Sequence, residues 1–307
     1  MKKAIVTGAT GFIGRFLVRE LIAHDVKVIA VIRPDSKNRE RLPHGVKIVN
    51  CTLEKIEMLP QLIEDRDIDT VFHIAWQGVS DANAKDSDIQ IGNIRATLAL
   101  IDAMHEMGIG TFVGCGSMHE AEALVEMAED KVVDNLGFMY KSAKTAAHWM
   151  GKAKAGSYGI RFFWPLINTY GEEEQSARLV NTIIRKIYNN ESPDLSAGNQ
   201  IYDFVHVADV ASALYLIADK GIDGTNYSIG SGNAQPLKAF LEIVGQVANQ
   251  INNTEIPLGF GKITSNVISL PQETFDVSKL FADTGFLPKI SFEEGIRRTA
   301  LWIRDNQ

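Results

Sequence analysis

Tyr140 and Lys144 stand four residues apart in the sequence, a spacing that places two side chains one above the other on a helix. A phenol with a pKa of about 10 carries protons poorly at neutral pH, and a nearby positive charge lowers that pKa. The pair could therefore pass a proton to or from a carbonyl or alcohol oxygen while hydride moves at the adjacent carbon. The same spacing also arises by chance on exposed helices, so this interpretation needs support from other residues.

Three glycines near the start of the chain, Gly8, Gly11 and Gly14, offer that support. They follow a strand-like run and open a helical pattern, which is the context of a dinucleotide-binding turn. Glycine allows a sharp turn and lets backbone N–H groups approach a pyrophosphate, while the helix dipole attracts the anion. The alternative is a tight strand-to-helix turn that binds no ligand. The residues expected to hold the cofactor here are Thr7, Gly8, Thr10, Gly11, Phe12, Ile13 and Gly14.

The end of the second strand-like run bears on the choice between NAD and NADP. NAD-binding proteins usually place an acidic residue there to bind the ribose hydroxyls, whereas this chain has Arg33 followed by Pro34. A guanidinium is well suited to the 2′-phosphate of NADP, and Ser36 and Lys37 could assist it. The sequence therefore favours NADP and leaves NAD open as an alternative. An arginine that is simply solvated at the end of a strand would look the same.

Ser117 follows the fifth strand-like run. Active sites of open α/β sheets form at the carboxyl ends of the strands, so this hydroxyl could bind the substrate oxygen and position it for Tyr140. A serine after a strand is by itself usually a turn residue. Its significance here depends on the tyrosine and the lysine.

The order of the elements predicts the architecture that must position these groups. Strands alternating with helices are typical of a parallel sheet with helices on both faces. We therefore expect a doubly wound α/β Rossmann fold with a smaller C-terminal α/β substrate lobe. The six apolar runs that predict strands are residues 4–6, 28–32, 46–49, 70–74, 111–113 and 160–163. The predicted domains are residues 1–171 with 203–225 returning to them for the cofactor, and residues 172–202 and 226–307 for the substrate lobe.

Composition excludes several classes of function. The 307 residues carry a net charge of -7, which argues against a protein that binds the phosphate backbone of nucleic acids. Two cysteines, Cys51 and Cys115, cannot build a disulfide framework, so a reducing compartment fits best. The first apolar run is too short for a signal peptide, and no run reaches the roughly 18 apolar residues of a membrane span. We expect a cytoplasmic protein without a nucleic-acid or membrane partner.

Together these residues resemble the extended short-chain dehydrogenase/reductases, the NAD-dependent epimerase/dehydratase family of nucleotide-sugar epimerases, dehydratases and 4-keto-sugar reductases. The segments at residues 71–75, 92–97, 168–171 and 202–210 add to the resemblance. It implies a nucleotide-sugar substrate, with Ser117, Tyr140 and Lys144 as catalytic residues. It also implies cofactor contacts from Thr52, Leu53, Ile74, Ala75, Trp76, Asn93 and Pro165, beside Tyr140 and Lys144. The implied substrate contacts are Ser117, Met118, Trp164, Asn168 and Arg178.

Residues after the serine distinguish the reactions within this family. Dehydratases carry an Asp-Glu pair there, whereas Ser117 is followed by Met118 and His119, so dehydration is not expected. Residues 116–120 and 75–78 are more similar to the 4-keto-sugar reductase branch. The resemblance therefore implies NADP(H)-linked reduction of a 4-keto hexose. The alternatives are a nucleotide-sugar 4-epimerase without net redox, and a non-catalytic regulatory protein that binds a dinucleotide.

The chain also departs from the family pattern. Cys51 to Leu53 replace the usual Asp-Leu, Ala121 and Glu122 replace a frequent Tyr-Gly, and Tyr202 stands where arginine is usual. Trp164 could occupy a place where many epimerases have asparagine, and core packing explains a large indole there equally well.

Two further expectations concern metals and assembly. His73, His119 and His206 show no metal-binding spacing such as H-E-x-x-H, so we expect satisfied or cofactor-packing histidines and no metal site. Family members commonly pair two helices across a dimer axis. The helical patterns at residues 94–104 and 140–150 could do the same, so a homodimer is expected.

Overall fold

A six-stranded parallel sheet forms the centre of the molecule. In the computed structural model, which describes residues 1–79, 82–129, 137–264 and 268–306, the strand order is β3-β2-β1-β4-β5-β6 and every adjacent pair is parallel. All six expected strands are present, and the doubly wound α/β fold is confirmed. The strands are β1 (Lys3–Thr7), β2 (Lys27–Ile32), β3 (Lys47–Asn50), β4 (Thr70–His73), β5 (Thr111–Gly114) and β6 (Arg161–Phe163).

Helices cover both faces of this sheet. Their bounds are α1 (Phe12–Ala23), α2 (Leu59–Leu62), α3 (Ser87–Met107), α4 (Met118–Ala128), α5 (Phe138–Ser157), α6 (Leu179–Tyr188), α7 (Val207–Lys220), α8 (Leu237–Asn252), α9 (Ser278–Thr284) and α10 (Phe292–Asp305). Helices α1 and α7 pack on one face, and α3 and α5 pack on the other. Residues alternate between the two faces along each strand, and in β1 the side chains of Ala4 and Val6 join one core while Ile5 joins the other. This burial on both faces explains why the strands read as continuous apolar runs.

A third apolar cluster lies outside the sheet. It joins α6, α8 and α10 through residues such as Ile184, Phe240 and Ile296, which are each at most 1% exposed. The helix α7 instead packs against α1. The proposed boundaries near residues 171, 202 and 225 remain a prediction.

Three pairs of short strands connect the sheet to this cluster. The strand β8 (Thr169–Tyr170) pairs in parallel with β10 (Val205–His206). The strand β7 (Leu166–Ile167) pairs in parallel with β11 (Ser228–Ile229), and β9 (Ile201–Tyr202) pairs antiparallel with β12 (Gln235–Pro236). These pairs fix the loops that follow β6. Across the described ranges, the structure contains no helix that is both long and apolar enough to cross a membrane.

Candidate active site

A cavity of about 840 Å³ opens at the carboxyl ends of the sheet strands. Such a volume accommodates a small-molecule ligand of cofactor size. Seventeen of the expected cofactor, catalytic and substrate contacts line it: Thr7, Gly8, Thr10, Gly11, Phe12, Ile13, Arg33, Leu53, Ile74, Ala75, Trp76, Ser117, Met118, Tyr140, Lys144, Asn168 and Arg178. Five others lie outside its wall: Gly14, Thr52, Asn93, Trp164 and Pro165.

The glycine turn forms one end of the cavity. Gly8 follows β1 with a φ of +69°, which favours glycine, and a Cβ there would lie 2.7 Å from the backbone nitrogen of Ala75. Gly11 is the N-cap of α1 and its N–H donates to the Gly8 carbonyl at 2.9 Å. A Cβ on Gly14 would lie 2.1 Å from that carbonyl oxygen. Gly14 therefore lets helix α1 pack against the turn, which explains its place outside the cavity wall.

This end of the cavity fits a dinucleotide phosphate. No side chain of the described residues caps the start of α1, so its first N–H groups face the cavity with the positive end of the helix dipole. Gly8 lies so close to the Ala75 backbone that no side chain fits at this position. An anion in the cavity can therefore approach the N–H groups of α1 directly. The turn and the helix would hold the pyrophosphate of a nicotinamide cofactor.

Arg33 lies at the adjacent end of β2. Its side chain is 63% exposed, and Nε is 3.7 Å from Asp35 Oδ1. The hydroxyl of Ser36 donates to Thr10 Oγ1 at 2.9 Å and so ties this segment to the glycine turn. The guanidinium is therefore free to meet an anionic group at the mouth of the cavity.

Ser117 is built into the start of helix α4. Its side chain accepts from the His119 N–H at 3.3 Å, and Glu120 accepts from the Ser117 N–H at 2.9 Å, which together form a capping box. This arrangement fixes the serine side chain where β5 meets the cavity, beside Tyr140, with which it forms a hydrogen bond. Ser117 thus caps the helix and also lines the cavity.

Trp164 belongs to the core, and its interpretation as a sugar contact is corrected by the structure. The indole is 3% exposed and stacks parallel to the rings of Phe112 and Phe162. A Cβ on Gly114 would lie 2.1 Å from its ring. Packing against this glycine excludes the indole from the cavity. Trp164 is therefore a core residue, as the alternative interpretation of the sequence stated.

A buried carboxylate connects this indole to the serine. Glu120, 3% exposed, accepts from Trp164 Nε1 at 3.0 Å and from the Ser117 N–H, and its other oxygen lies 3.0 Å from His148 Nδ1. The charge is thus satisfied by partners from three elements. Sequence reasoning missed this role of Glu120 and His148, although serine followed three residues later by glutamate is a recognisable capping signal.

Tyr140 and Lys144 lie on α5 beside the serine. Lys144 Nζ donates to the Cys115 carbonyl at 2.8 Å and lies 3.7 Å from the centroid of the Trp76 ring, a cation–π distance. Burial of this ammonium lowers the pKa of Lys144 to about 8. Burial raises the pKa of Tyr140 to about 12, although a hydrogen bond with Ser117 acts in the opposite direction. Burial is therefore the dominant influence on the phenol pKa in the protein alone, and Tyr140 is a protonated donor at neutral pH.

Three expected cofactor contacts support the wall without lining it. Asn93 is buried in α3, where its side chain accepts from the Gln77 N–H at 2.9 Å and donates to the Gln77 carbonyl at 2.8 Å. The Pro165 carbonyl accepts from the Gly116 N–H at 2.9 Å. Thr52 precedes a short 3-10 helix that begins at Leu53. Their expected contact with the cofactor stays a prediction.

The loop at residues 172–174 carries three consecutive glutamates with different partners. The first lies 2.7 Å from His206 Nε2. The second lies 2.8 Å from Arg15 Nε and 2.8 Å from Arg19 Nη1, both on α1. The third lies 3.3 Å from Arg178 Nε, at the N-cap of α6. The loop therefore joins the cofactor side of the cavity to its substrate side.

The histidines have hydrogen-bond partners of ordinary kinds. His73 is buried between Thr7 Oγ1 at 2.9 Å and Thr97 Oγ1 at 3.2 Å, and burial lowers its pKa to about 3, which keeps it neutral. His206 caps α7 by accepting from the Ala208 N–H. No group of three or more metal-ligating side chains occurs in the part of the chain that the structure describes.

Comparison with known proteins now identifies the family. The model of the NAD dependent epimerase/dehydratase family matches residues 4–230, most of the chain and all of its parallel sheet. The chain belongs to this family. This result confirms the resemblance drawn from the motifs and the expectation of an enzyme of this class.

Relatives of the family match along the whole chain. A dTDP-glucose 4,6-dehydratase from Neisseria meningitidis is 26% identical, with 100% of this chain and 94% of the relative covered. The structure of a UDP-glucose 4-epimerase with UDP-glucose from Thermotoga maritima has a TM-score of 0.81 at 22% identity and covers 99% of both chains. That of a Thermus thermophilus UDP-glucose 4-epimerase complex with NAD has a TM-score of 0.78 at 24% identity and covers 98% of this chain and 99% of the other. These structures confirm the fold of this family member.

Several lining residues of this family member were not expected from the sequence. Glu174 and Asn181 line the substrate side, where Asn181 Nδ2 donates to the Glu174 carbonyl at 2.6 Å. Gln77 lines the cofactor side and donates to Glu54 Oε1 at 2.8 Å. These residues carry no local motif. Only the folded chain brings each one to the cavity.

Proposed function

We propose that this protein reduces a nucleotide-linked 4-keto hexose with NADPH. The observation that carries the proposal is the convergence of Ser117, Tyr140 and Lys144 in the same cavity as the glycine turn. The family membership supports hydride chemistry on a nucleotide sugar, and Met118 and His119 stand where dehydratases carry an acidic pair.

Each of the three residues has a distinct role in this reaction. The nicotinamide of the bound cofactor supplies the hydride. Ser117 donates its O–H to the carbonyl oxygen of the substrate and so orients it. Tyr140, protonated at neutral pH, transfers its proton to the same oxygen as the carbonyl is reduced. Lys144 holds a positive charge beside the Cys115 carbonyl, where it favours the phenolate that Tyr140 becomes.

The choice of NADP rests on Arg33. It is exposed at the end of β2, where NAD-binding proteins usually have an acid, and the bond from Ser36 to Thr10 holds this segment against the turn. A 2′-phosphate would meet the guanidinium directly. The solved Thermus relative is a complex with NAD, so competitive titration of NADP against NAD is the direct test. Arg33→Ala should weaken NADPH binding about 10- to 100-fold and leave NADH binding nearly unchanged, since one charge-assisted contact contributes roughly 1.5–3 kcal/mol.

The nucleotide end of the substrate is proposed to extend toward α6 and α8. Arg178 lines the cavity on that side with Asn168, Met118 and Tyr202. Its guanidinium is 39% exposed and is the group there suited to an anionic phosphate. The solved Thermotoga relative is a complex with UDP-glucose, which supports a nucleotide sugar as the ligand.

The test uses purified protein, NADPH and 4-keto-6-deoxyglucose linked to dTDP, UDP or CDP. Consumption of NADPH with one of these sugars, lost in Tyr140→Phe, is the expected result. The second candidate is a 4-epimerase without net redox, which the epimerase relatives favour. Interconversion of UDP-glucose and UDP-galactose with bound NAD, in the absence of NADPH consumption, would support that candidate instead. NADPH binding without turnover of any of these sugars would favour the non-catalytic alternative.

We also propose that two copies of the chain associate through α3 and α5. Their outer surfaces expose Ile91, Trp149 and Met150, of which the last two are about half exposed. An apolar surface on two long neighbouring helices is what an isologous dimer buries. Light scattering of the wild type should give about twice the mass of the 33.8 kDa chain. Trp149→Glu should give a monomer, and a wild-type monomer would overturn this proposal.

A further inference from the structure

His119 is a second ionisable group beside the reacting tyrosine, and the reduction proposed above does not use it. It lies in the first turn of α4, two residues after Ser117, and lines the cavity. Its ring meets that of Tyr140 edge to face, with the centroids 6.0 Å apart and the planes at 83°. The side chain is 49% exposed. An imidazole therefore faces the region where Ser117 and Tyr140 would hold a carbonyl.

A buried carboxylate fixes the orientation of this imidazole. His119 Nδ1 lies 2.8 Å from Glu122 Oε2, and Glu122 is only 5% exposed. Burial raises the pKa of Glu122, but hydrogen bonds from His119 and Lys141 outweigh it and hold the pKa below its usual value. Glu122 is therefore ionised at neutral pH and accepts the Nδ1–H. Nε2 is then the basic nitrogen of the neutral ring.

The partners of Glu122 keep the two residues in place. Lys141 follows Tyr140 directly on α5. Its Nζ lies 2.8 Å from Glu122 Oε2 and 2.8 Å from Glu126 Oε1. Nε2 of His119 has no hydrogen-bond partner within residues 1–79, 82–129, 137–264 and 268–306. A solvated surface pair would expose its carboxylate, whereas here the carboxylate is buried and the histidine lines the cavity. A base oriented by a buried acid beside a cavity is the arrangement that proton transfer requires.

We propose that His119 exchanges a proton with the carbon next to the carbonyl of the keto sugar, an activity that rests on the function proposed above. Nε2 takes the proton as the C–H bond breaks. The electron pair of that bond forms a carbon–carbon double bond with the carbonyl carbon, and the oxygen receives the proton of Tyr140. The enol is thereby formed without an oxidant or reductant. Return of both protons restores the ketone.

This step gives the protein a second activity on the same substrate class. A 4-keto hexose carries C–H bonds on both sides of its carbonyl, and their protons become acidic because the enolate delocalises charge onto oxygen. The protein would then equilibrate one of these positions with solvent before hydride arrives. The favourable substrates are nucleotide-linked ketohexoses with a hydrogen at that carbon.

The experiment follows deuterium at carbon. The full-length protein is incubated in D2O with NADP+ and 4-keto-6-deoxyglucose linked to dTDP, UDP or CDP, and incorporation beside the carbonyl is measured by proton NMR and mass spectrometry. NADPH oxidation with the same sugars is measured separately. We expect incorporation at one carbon well above the rate without protein, since a positioned base contributes about 10²–10⁴ in rate.

Variants separate proton transfer from a structural role. His119→Gln should lower deuterium incorporation at least 100-fold more than it lowers NADPH oxidation. Glu122→Gln should lower incorporation about tenfold, because Glu122 is a positioning residue that acts through the imidazole. His44→Gln, at an exposed position that does not line the cavity, is the matched control and should change neither rate.

Each outcome decides between the two proposals. NADPH oxidation by the wild type without incorporation of deuterium overturns the role of His119 and leaves the reductase intact. Equal losses of both rates in His119→Gln also overturn it, because they indicate a role in shaping the site. Absence of both activities in the wild type overturns the reductase itself. Incorporation that His119→Gln selectively removes supports the inference.

Discussion

The two sides of the cavity are built in different ways. On the cofactor side, backbone geometry within residues 8–14 makes the binding surface, and glycine is required because neighbouring backbone atoms leave no room for a Cβ. On the substrate side, side chains from different elements make it, some held by partners close in sequence and others by partners far away in sequence. Arg178 depends on Glu174, and Glu120 joins Ser117 to Trp164 and His148.

From this difference we expect the glycine turn to tolerate fewer substitutions than the substrate side, because a Cβ at Gly8 or Gly14 would collide with neighbouring backbone atoms. Side-chain pairs can be exchanged two at a time, so they can adapt to new substrates. The proposed catalytic residues Ser117, Tyr140 and Lys144 line the same cavity, where changes should affect chemistry more than binding.

The largest expected effect is at that junction, with Tyr140→Phe. Removal of the phenolic O–H should lower kcat by about 10²–10⁴, the range of general acid catalysis. The ring is retained, so the affinity for NADPH should stay within about twofold. Steady-state kinetics and fluorescence titration measure the two quantities. Retention of turnover would mean that the proton comes from another group.

Next in size is a change on the cofactor side, Gly14→Ala. Its Cβ would lie 2.1 Å from the Gly8 carbonyl, so the turn must shift. NADPH affinity should fall about 100-fold and stability by about 1–3 kcal/mol, as in other overpacked sites. Titration and urea unfolding check both values.

The matched control for this variant is Gly92→Ala in α3, where a Cβ meets nothing within 4 Å. It should stabilise the protein by up to about 1 kcal/mol, because alanine is the better helix former. Equal NADPH affinities and equal stabilities of Gly14→Ala and Gly92→Ala would show that backbone crowding does not define the turn.

A smaller effect is expected for Glu173→Gln, in the loop that joins the cofactor side of the cavity to its substrate side. It leaves the guanidinium of Arg15, which is 2% exposed, without the charge that faces it. We expect a loss of about 3 kcal/mol in the free energy of unfolding, the lower range for breaking a buried ion pair. Glu255→Gln, at an exposed position, should change stability by less than about 0.5 kcal/mol. Similar urea midpoints for the two variants would contradict the importance of this link.

The smallest expected effect is a pH dependence of stability that comes from Lys144. Its folded pKa of about 8 lies below the ordinary value of 10.5, so between these values the unfolded chain binds more protons and stability rises with pH. Wild type should gain stability relative to Lys144→Met from pH 8 to 9.5, at up to about 1.4 kcal/mol per pH unit. If the free energies of unfolding of the two proteins change with pH by the same amount across this range, burial does not lower the pKa of Lys144.

The difference between a surface made from backbone and one made from side-chain pairs also determines what could be predicted from the sequence. The six strands and the turn were predictable because burial on both faces and glycine spacing leave local signals. The link from Arg15 to Glu173 was not, since the two residues are 158 positions apart and carry no motif. Trp164 was ambiguous because an indole suits both a core and a sugar, and only its stacking on Phe112 and Phe162 decides between them. The pKa of Tyr140 depends on burial that the spacing of two residues cannot reveal.

The three consecutive glutamates at residues 172–174 have a consequence for protein engineering. Because adjacent carboxylates serve different partners, a single inserted or deleted residue would shift all three pairings at once, whereas one substitution affects one pairing. A chimera that takes its substrate half from a relative must therefore also take Arg15 and Arg19 from the same parent. Crossover points for recombination are better placed before α1 or within the helices that follow the loop than at the loop itself.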